Sequence, residues 1–371
     1  MAMKVLFAGG GTAGHINPAL AVAGKLEEIA PDTDIRFAGV DGKIETKLIP
    51  QAGYRLYTVK LHGISRKLSL GGLKNNIGII PEIYRAKKDM LKILSEFKPD
   101  VVVGMGGYAA YPAVWAAKKL KIRVVLMEVN ALPGVTTKIL AAGADKILVN
   151  FDSAVQRLGN RKNILKTGIP VRSGIFADRQ TEKQKLGMTD KPLVVSFWGS
   201  MGASKMNGII ADFMKYAAET DAFYHVHACG KSGYKSTLLN IAANGVNLTE
   251  HKNIDVREYI NNMEQLIAAA DVIICRAGAS TLAEICAAGR CSIIVPSPNV
   301  AENHQEINAR ALEDCGAACV FTEKDCSAKQ LYDTVVELLN NPAKRAEMER
   351  NARGMAVADA SAKICDVIRN V

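Results

Sequence analysis

The sequence predicts an α/β protein built from two parallel, helix-covered sheets, and three observations carry that expectation. Short β-branched runs alternate with helical patterns along all 371 residues. The alternation pauses once, at "KTGIPVR" (166–172), and then restarts. Glycine-rich turns follow the strands in both halves. Strand–helix alternation implies crossover connections, which place helices on both faces of a parallel sheet. Two such series give two Rossmann-like domains with parallel sheets facing across a cleft.

In chain order, the first series has strands at "KVLFA", "DIRFAG", "DVVVG", "RVVLME" and "KILVN". The second has "LVVSFWG", "FYHVHACG", "DVIIC" and "CSIIVP". The expected domains are residues 1–167 and 168–349. A helical tail of about 350–371 ends without a strand, so it either caps the second domain or returns to the first. Four glycine turns follow strands: "GGGTAGH" (9–15), "GMGGY" (104–108), "WGSMGAS" (198–204) and "CRAGAS" (275–280). Each offers backbone N–H groups at a helix start, a ready anion site, and ligands of open α/β sheets bind where such turns cluster.

Composition narrows the class. With 49% hydrophobic and 23% charged residues, the chain has what a folded protein needs and no low-complexity tract. The eight cysteines lie in the second half without a C-x-x-C, which suits reduced, buried thiols better than disulfides or a metal site. The opening apolar run is too short for a secretory signal. The apolar uncharged run 101–117 is shorter than a bilayer needs and is broken by glycine and proline. Residues 1–170 hold 25 Lys and Arg against 13 Asp and Glu, a net of +12 within the total of +10. A basic first half implies an anionic partner: nucleic acid, a membrane surface or a phosphorylated substrate. No nucleic-acid-binding motif is present.

Gly9, Gly11 and Gly14 spell the G-x-G-x-x-G of a dinucleotide site, but the fit is poor. The acidic residue that would hold a ribose belongs at the end of the second strand, about 20 residues on. Asp34 precedes that strand and Asp41 lies well past the expected distance. His15 would also crowd a pyrophosphate. Pro18 suits a first helical turn, which exposes His15 as a candidate general base, with helix capping as the plainer alternative. "DTD" (32–34) reads as a surface turn rather than a metal motif. His225 and His227 share one strand face, a weak zinc signal without a third ligand. Ser280 and Thr281 at a helix start can hold phosphate and Glu284 a ribose diol, although Thr281 and Glu284 also spell a capping box. The segment 66–88 mixes Leu and Ile with Arg and Lys, which suits either an anionic membrane surface or a core-packed helix with a lysine edge.

Together, "GGGTAGHINPALA", "GMGGY", "MEVNALPG", "TGIPVR", "WGSMGA", "YINNM", "RAGASTLAEI" and "ENHQEINA" run in the order found in the MurG family, which this chain resembles along its whole length. That family moves N-acetylglucosamine from UDP-N-acetylglucosamine to lipid I in bacterial peptidoglycan synthesis. The resemblance implies a GT-B architecture, with the last helix returning to the first domain. It implies an acceptor-binding, membrane-facing first domain and a UDP-sugar-binding second domain.

Carried onto this chain, the donor contacts fall on Thr12, Ala13, Gly14 and Asn130 from the first domain. From the second they fall on Arg172, Ser200, Ile260, Ala279, Ser280, Thr281, Leu282, Ala283, Glu284, His304 and Gln305. His15 is the implied base, with Glu128 and Tyr108 on the acceptor side as further catalytic positions. No metal or cofactor is implied, and the place of work is the cytoplasmic face of the cell membrane, held peripherally. Two letters depart from the family: Ala13 replaces a usual glycine, so position 13 should have an ordinary backbone, and Met201 replaces a usual glutamine. The rivals are another GT-B UDP-sugar enzyme, such as a glycolipid glycosyltransferase or an epimerase, a nicotinamide-dependent oxidoreductase, and a basic module without enzymatic activity.

Overall fold

The computed structural model describes residues 2–63, 70–199, 202–357 and 359–371. The chain divides into two compact units, Met1–Pro170 with Asp359–Val371, and Val171–Ala358. The strands of the first unit are β1 (Lys4–Ala8), β2 (Asp34–Val40), β3 (Arg55–Val59), β4 (Val101–Gly104), β5 (Arg123–Glu128), β6 (Lys146–Val149) and β7 (Ile164–Lys166). They form one parallel sheet in the order β3-β2-β1-β4-β5-β6-β7. Its helices are α1 (Ala13–Ile29), α2 (Glu45–Gln51), α3 (Leu70–Phe97), α4 (Ala110–Lys119), α5 (Val135–Leu140) and α6 (Asp152–Arg157).

The second unit has β8 (Leu193–Phe197), β9 (Tyr224–Ala228), β10 (Ile254–Arg257), β11 (Val272–Cys275), β12 (Cys291–Ile294) and β13 (Ala318–Val320), in the order β10-β9-β8-β11-β12-β13. Around it lie α7 (Arg179–Leu186), α8 (Ser204–Thr220), α9 (Tyr234–Ala243), α10 (Met263–Ala269), α11 (Ala279–Ala288), α12 (His304–Glu313), α13 (Ala328–Asn340) and α14 (Pro342–Met355).

Helices on both faces leave the central strands no solvent side, which is why they read as continuous apolar runs. Every residue of "VVVG" in β4, "LVVSF" in β8, "VIIC" in β11 and "CSII" in β12 is buried. The tail divides. Helix α14 buries Met348 and Ala352 and packs on α11 and β12. Asp359 then takes a left-handed turn (φ 54°), and α15 (Ala360–Asn370) buries Ile364, Cys365 and Ile368 against α1 of the first unit. The return is therefore made by α15, not by the whole of 350–371.

The paired histidines of β9 belong to the core. His225 and His227 are fully buried and flank Ser196 of β8, whose Oγ lies 2.8 Å from His225 Nε2 and 2.7 Å from His227 Nδ1. One serine thus engages a ring nitrogen of each, and among the described residues no group of three or more His, Cys, Asp or Glu is arranged to hold a metal ion. Burial pushes both imidazoles down, His227 to about 3. Their ordinary value is about 6.5, so the unfolded chain takes up protons first as the pH falls. The stability they allow is complete above pH 6.5 and is lost below it, by about 1.4 kcal/mol per pH unit for each histidine. Urea unfolding midpoints should therefore fall between pH 6.5 and 5, and less steeply in His227→Gln. Midpoints that stay level across that window would contradict this account.

Candidate functional site

In the first unit, β1 and β4 are neighbours, but the chain leaves them toward opposite edges of the sheet. A crevice opens at such a divergence, beyond the carboxyl ends of the strands. The first two glycine turns meet there, with the Met105 amide donating to the Ala8 carbonyl at 2.8 Å. The His15 ring rests against the second turn: a Cβ on Gly106 would lie 3.2 Å from Nε2, and one on Gly107 3.5 Å from Nδ1. Both glycines also have positive φ, 92° and 72°, so larger residues are excluded twice over. "GMGGY" is the seat of the histidine, which the sequence by itself did not reveal.

His15 Nδ1 lies 3.3 Å from the Gly10 carbonyl and 3.1 Å from Thr12 Oγ1. A carbonyl can only accept, so the contact with Gly10 requires the proton on Nδ1, and in that tautomer Nε2 is the basic nitrogen. Ala13 opens α1 after an extended Thr12, and the left-handed residue of the loop is Gly11 (φ 84°). Pro18 consequently falls in the second turn of α1 and not in the first. The Tyr108 ring approaches the positions a Cβ would take on Gly11 (3.6 Å) and Gly63 (3.2 Å). Burial, and secondarily the charge of Glu45, raise its phenol, so it remains a neutral donor.

Glu128 departs from the catalytic expectation. It is 5% exposed, and its Oε1 accepts from the Asn130 amide (3.0 Å) and Nδ2 (3.4 Å). Its Oε2 accepts from the Gly134 amide (2.9 Å) and Thr137 Oγ1 (2.7 Å). A carboxylate with four acceptor directions occupied is poorly placed to take a proton. Glu128 shapes the loop 130–137 and aims Asn130 instead. Asp34 of "DTD" likewise pairs with Arg36 at 2.7 Å.

In the second unit, β8 and β11 are the diverging neighbours. A cavity of about 510 Å³ lies at their carboxyl ends, lined by Gly202, Ser204, Lys205, Gly278, Thr281 and Gln305 among others. Its wall contains a group the sequence reading passed over. Arg276 donates to the Val295 (3.0 Å) and Pro296 (3.1 Å) carbonyls, pairs with Glu323, and lies 5.6 Å from the centre of the Trp198 ring. Lys205 Nζ donates to the Glu323 carbonyl at 2.9 Å. Only side-chain geometry identifies this cluster, since its members come from four separate loops and the start of α8.

Helix α11 starts at an extended Gly278 without a side-chain cap. The Thr281–Glu284 capping box expected as an alternative therefore does not form. The first-turn amides of Ala279, Ser280 and Thr281 precede the helix's own bonding. Leu282 is different: its side chain is 1% exposed and its amide already donates to the Gly278 carbonyl at 3.0 Å. Neither its side chain nor its amide is therefore on offer to a ligand. Ala283, next along, lies inside the same helix.

Glu284 accepts from Arg172 Nε at 2.9 Å. Burial raises its carboxyl above the usual range while Arg172 pulls it back. Gln305 Oε1 accepts the Ser297 amide at 2.9 Å, which leaves N–H donation as what its side chain offers a sugar. His304 opens α12 after Glu302 and Asn303, both left-handed. Ile260 is buried beyond β10 and outside the cavity lining. Ser200 and Met201 lie outside the described residues.

Comparison with known proteins fits this geometry. Residues 5–149 match the glycosyltransferase family 28 N-terminal domain, and residues 193–364 match the family 28 C-terminal domain. The "UDP-N-acetylglucosamine--N-acetylmuramyl-(pentapeptide) pyrophosphoryl-undecaprenol N-acetylglucosamine transferase" of Acetivibrio thermocellus is 37% identical over 100% of this chain and 98% of its own. The enzyme of the same name from Thermoanaerobacter sp. strain X514 is 40% identical over 100% of both chains. The chain belongs to this transferase family. Among solved structures, the MurG crystal structure from Acinetobacter baumannii covers 100% of both chains at 27% identity, with a TM-score of 0.76. A UDP-GlcNAc 2-epimerase from Neisseria meningitidis also covers 100% of both chains, with a TM-score of 0.67 at 14% identity, and shares the fold alone. As a member of the MurG family, the protein is a glycosyltransferase of GT-B architecture.

Proposed function

We propose that the protein transfers N-acetylglucosamine from UDP-N-acetylglucosamine to the muramoyl 4-hydroxyl of lipid I, giving lipid II. The observation that carries this is its full-length kinship with transferases named for that reaction. The 4-hydroxyl oxygen attacks the anomeric carbon as the bond to the UDP oxygen breaks, so the configuration inverts. His15 Nε2 takes the hydroxyl proton and UDP leaves with the bonding pair. Tyr108 donates a hydrogen bond on the acceptor side. Thr12, Ala13 and Gly14 present the start of α1, and Asn130 is aimed by Glu128.

In the second unit, Glu284 accepts from the ribose hydroxyls beside Arg172, and the amides of 279–281 meet the diphosphate. Ser200, from the separate glycine turn 198–204, is assigned to the phosphate as well. Gln305 with His304 faces the sugar, and the Ile260 backbone meets the uracil. Preorganised donors of this kind contribute roughly 3 kcal/mol each to a charged transition state.

Peripheral membrane attachment belongs to the same proposal. In the first unit Ile80 and Tyr84 of α3, with Val135 and Ile139 of α5, are 47–72% exposed. They stand among Arg85, Lys88 and Lys138, a mixture that suits an anionic bilayer surface. Residues 66–69 of this basic segment lie outside the described residues. No described helix is long and apolar enough to cross a membrane. The decisive experiment is transfer of radiolabelled sugar from UDP-N-acetylglucosamine to a short-chain lipid I analogue, with and without chelator. Label should enter the lipid in both arms. Absence of labelled product would overturn the assignment, and loss with chelator alone would overturn a metal-free mechanism.

A further inference from the structure

Beneath the first glycine turn lies a carboxylate that no motif announced. Glu45, the first residue of α2, is fully buried. Its Oε2 accepts the Gly11 amide at 3.0 Å and its Oε1 accepts the Val40 amide at 3.0 Å. The surrounding chain is shaped to admit it. A Cβ on Gly10 would lie 2.0 Å from Oε1, and one on Gly39 would lie 2.7 Å from Cγ. A buried carboxylate is costly unless hydrogen-bonded, so glycines at the ends of two strands shaped around one point to a role.

The role follows from which peptide Glu45 engages. The Gly11 N–H and the Gly10 carbonyl belong to the same peptide group, and that carbonyl faces His15 Nδ1 at 3.3 Å. Resonance couples the two ends of a peptide. A carboxylate accepting from the N–H makes the carbonyl oxygen more negative, and linked hydrogen bonds strengthen one another. The order is Glu45 carboxylate, peptide 10–11, His15 Nδ1–H, with Nε2 at the far side of the ring. Thr12 Oγ1, at 3.1 Å from Nδ1, can donate or accept and so leaves the tautomer to the carbonyl.

We propose that Glu45 is a positioning residue for His15, acting through the peptide between Gly10 and Gly11. It holds the ring in the Nδ1–H tautomer and steadies the imidazolium formed when Nε2 takes the substrate proton. No proton travels along the relay, because the Nδ1 hydrogen stays on nitrogen throughout. The proposal rests on His15 being the base.

Two measurements test it. In the intact wild-type protein with 15N-labelled histidine, His15 (one of six histidines, assigned by comparison with His15→Ala) should show a protonated Nδ1 and an unprotonated Nε2 above its titration. In Glu45→Gln, one of the two amides meets an NH2 group instead of an oxygen. The Nδ1–H preference should weaken, and kcat should fall roughly 10- to 100-fold, the range for residues that orient a working group. KM for UDP-N-acetylglucosamine should change less than kcat does, because the donor contacts proposed for the second unit are untouched and those at Thr12, Ala13 and Gly14 lie outside the peptide that Glu45 holds. A wild-type His15 in the Nε2–H tautomer would overturn the proposal, whether or not Glu45→Gln folds. So would a folded Glu45→Gln enzyme with unchanged kcat, or one whose loss is confined to KM. A wild-type protein that transfers no sugar would instead fail the functional proposal and leave the tautomer measurement standing.

Discussion

Replacing His15 with alanine is expected to lower kcat by roughly 10²- to 10⁴-fold, the usual contribution of a positioned general base. The fold should survive. His15 is only partly buried, and its contacts include the Gly10 carbonyl, Thr12 Oγ1 and two glycines. Removing it leaves no large cavity and breaks no strand pairing. The thermal midpoint and the affinity for UDP should therefore be close to wild type, because the nucleotide contacts are assigned to the second unit. Steady-state transfer with saturating acceptor, alongside calorimetric UDP binding, separates these effects. Wild-type turnover in a folded His15→Ala protein would remove His15 as the base.

Glu284→Ala is the second large effect, and it should fall on binding. A carboxylate accepting two ribose hydroxyls makes charge-assisted hydrogen bonds of about 1.5–3 kcal/mol each. Their loss should reduce kcat/KM for UDP-N-acetylglucosamine by roughly 10²- to 10⁴-fold and weaken UDP itself. Stability should change little, because Arg172 is 45% exposed and stays solvated without its partner, while burial of the 16%-exposed Glu284 carboxylate already opposes what the pair contributes. Burial also raises the Glu284 carboxyl. UDP affinity should therefore begin to fall, as the pH is lowered, at a higher pH than an ordinary carboxylate would give. Unchanged UDP affinity in Glu284→Ala would place the ribose elsewhere.

Much of the architecture was legible before any coordinates. Parallel sheets with both faces covered need apolar strands, and runs such as "VVVG" and "VIIC" announce them without long-range information. Glycine turns announce loops that must bring the backbone close to something, and two of them do meet at the β1/β4 divergence. What the turns approach was not legible. "GMGGY" reads as another anion loop, yet it seats an imidazole from a residue some 90 positions earlier.

The sequence by itself determined the two-sheet plan, the family and the identity of the candidate base, because these depend on local periodicity and on ordered motifs. Tertiary structure decided how individual side chains are held. It committed Glu128 to a loop through four hydrogen bonds and turned Leu282 into the core. It joined Arg276 to Glu323 across 47 residues and placed Glu45 beneath a turn 34 residues before it. The physical reason is the same each time. Hydrogen bonding and burial depend on which strands become neighbours, and strand order is a property of the folded sheet rather than of any segment.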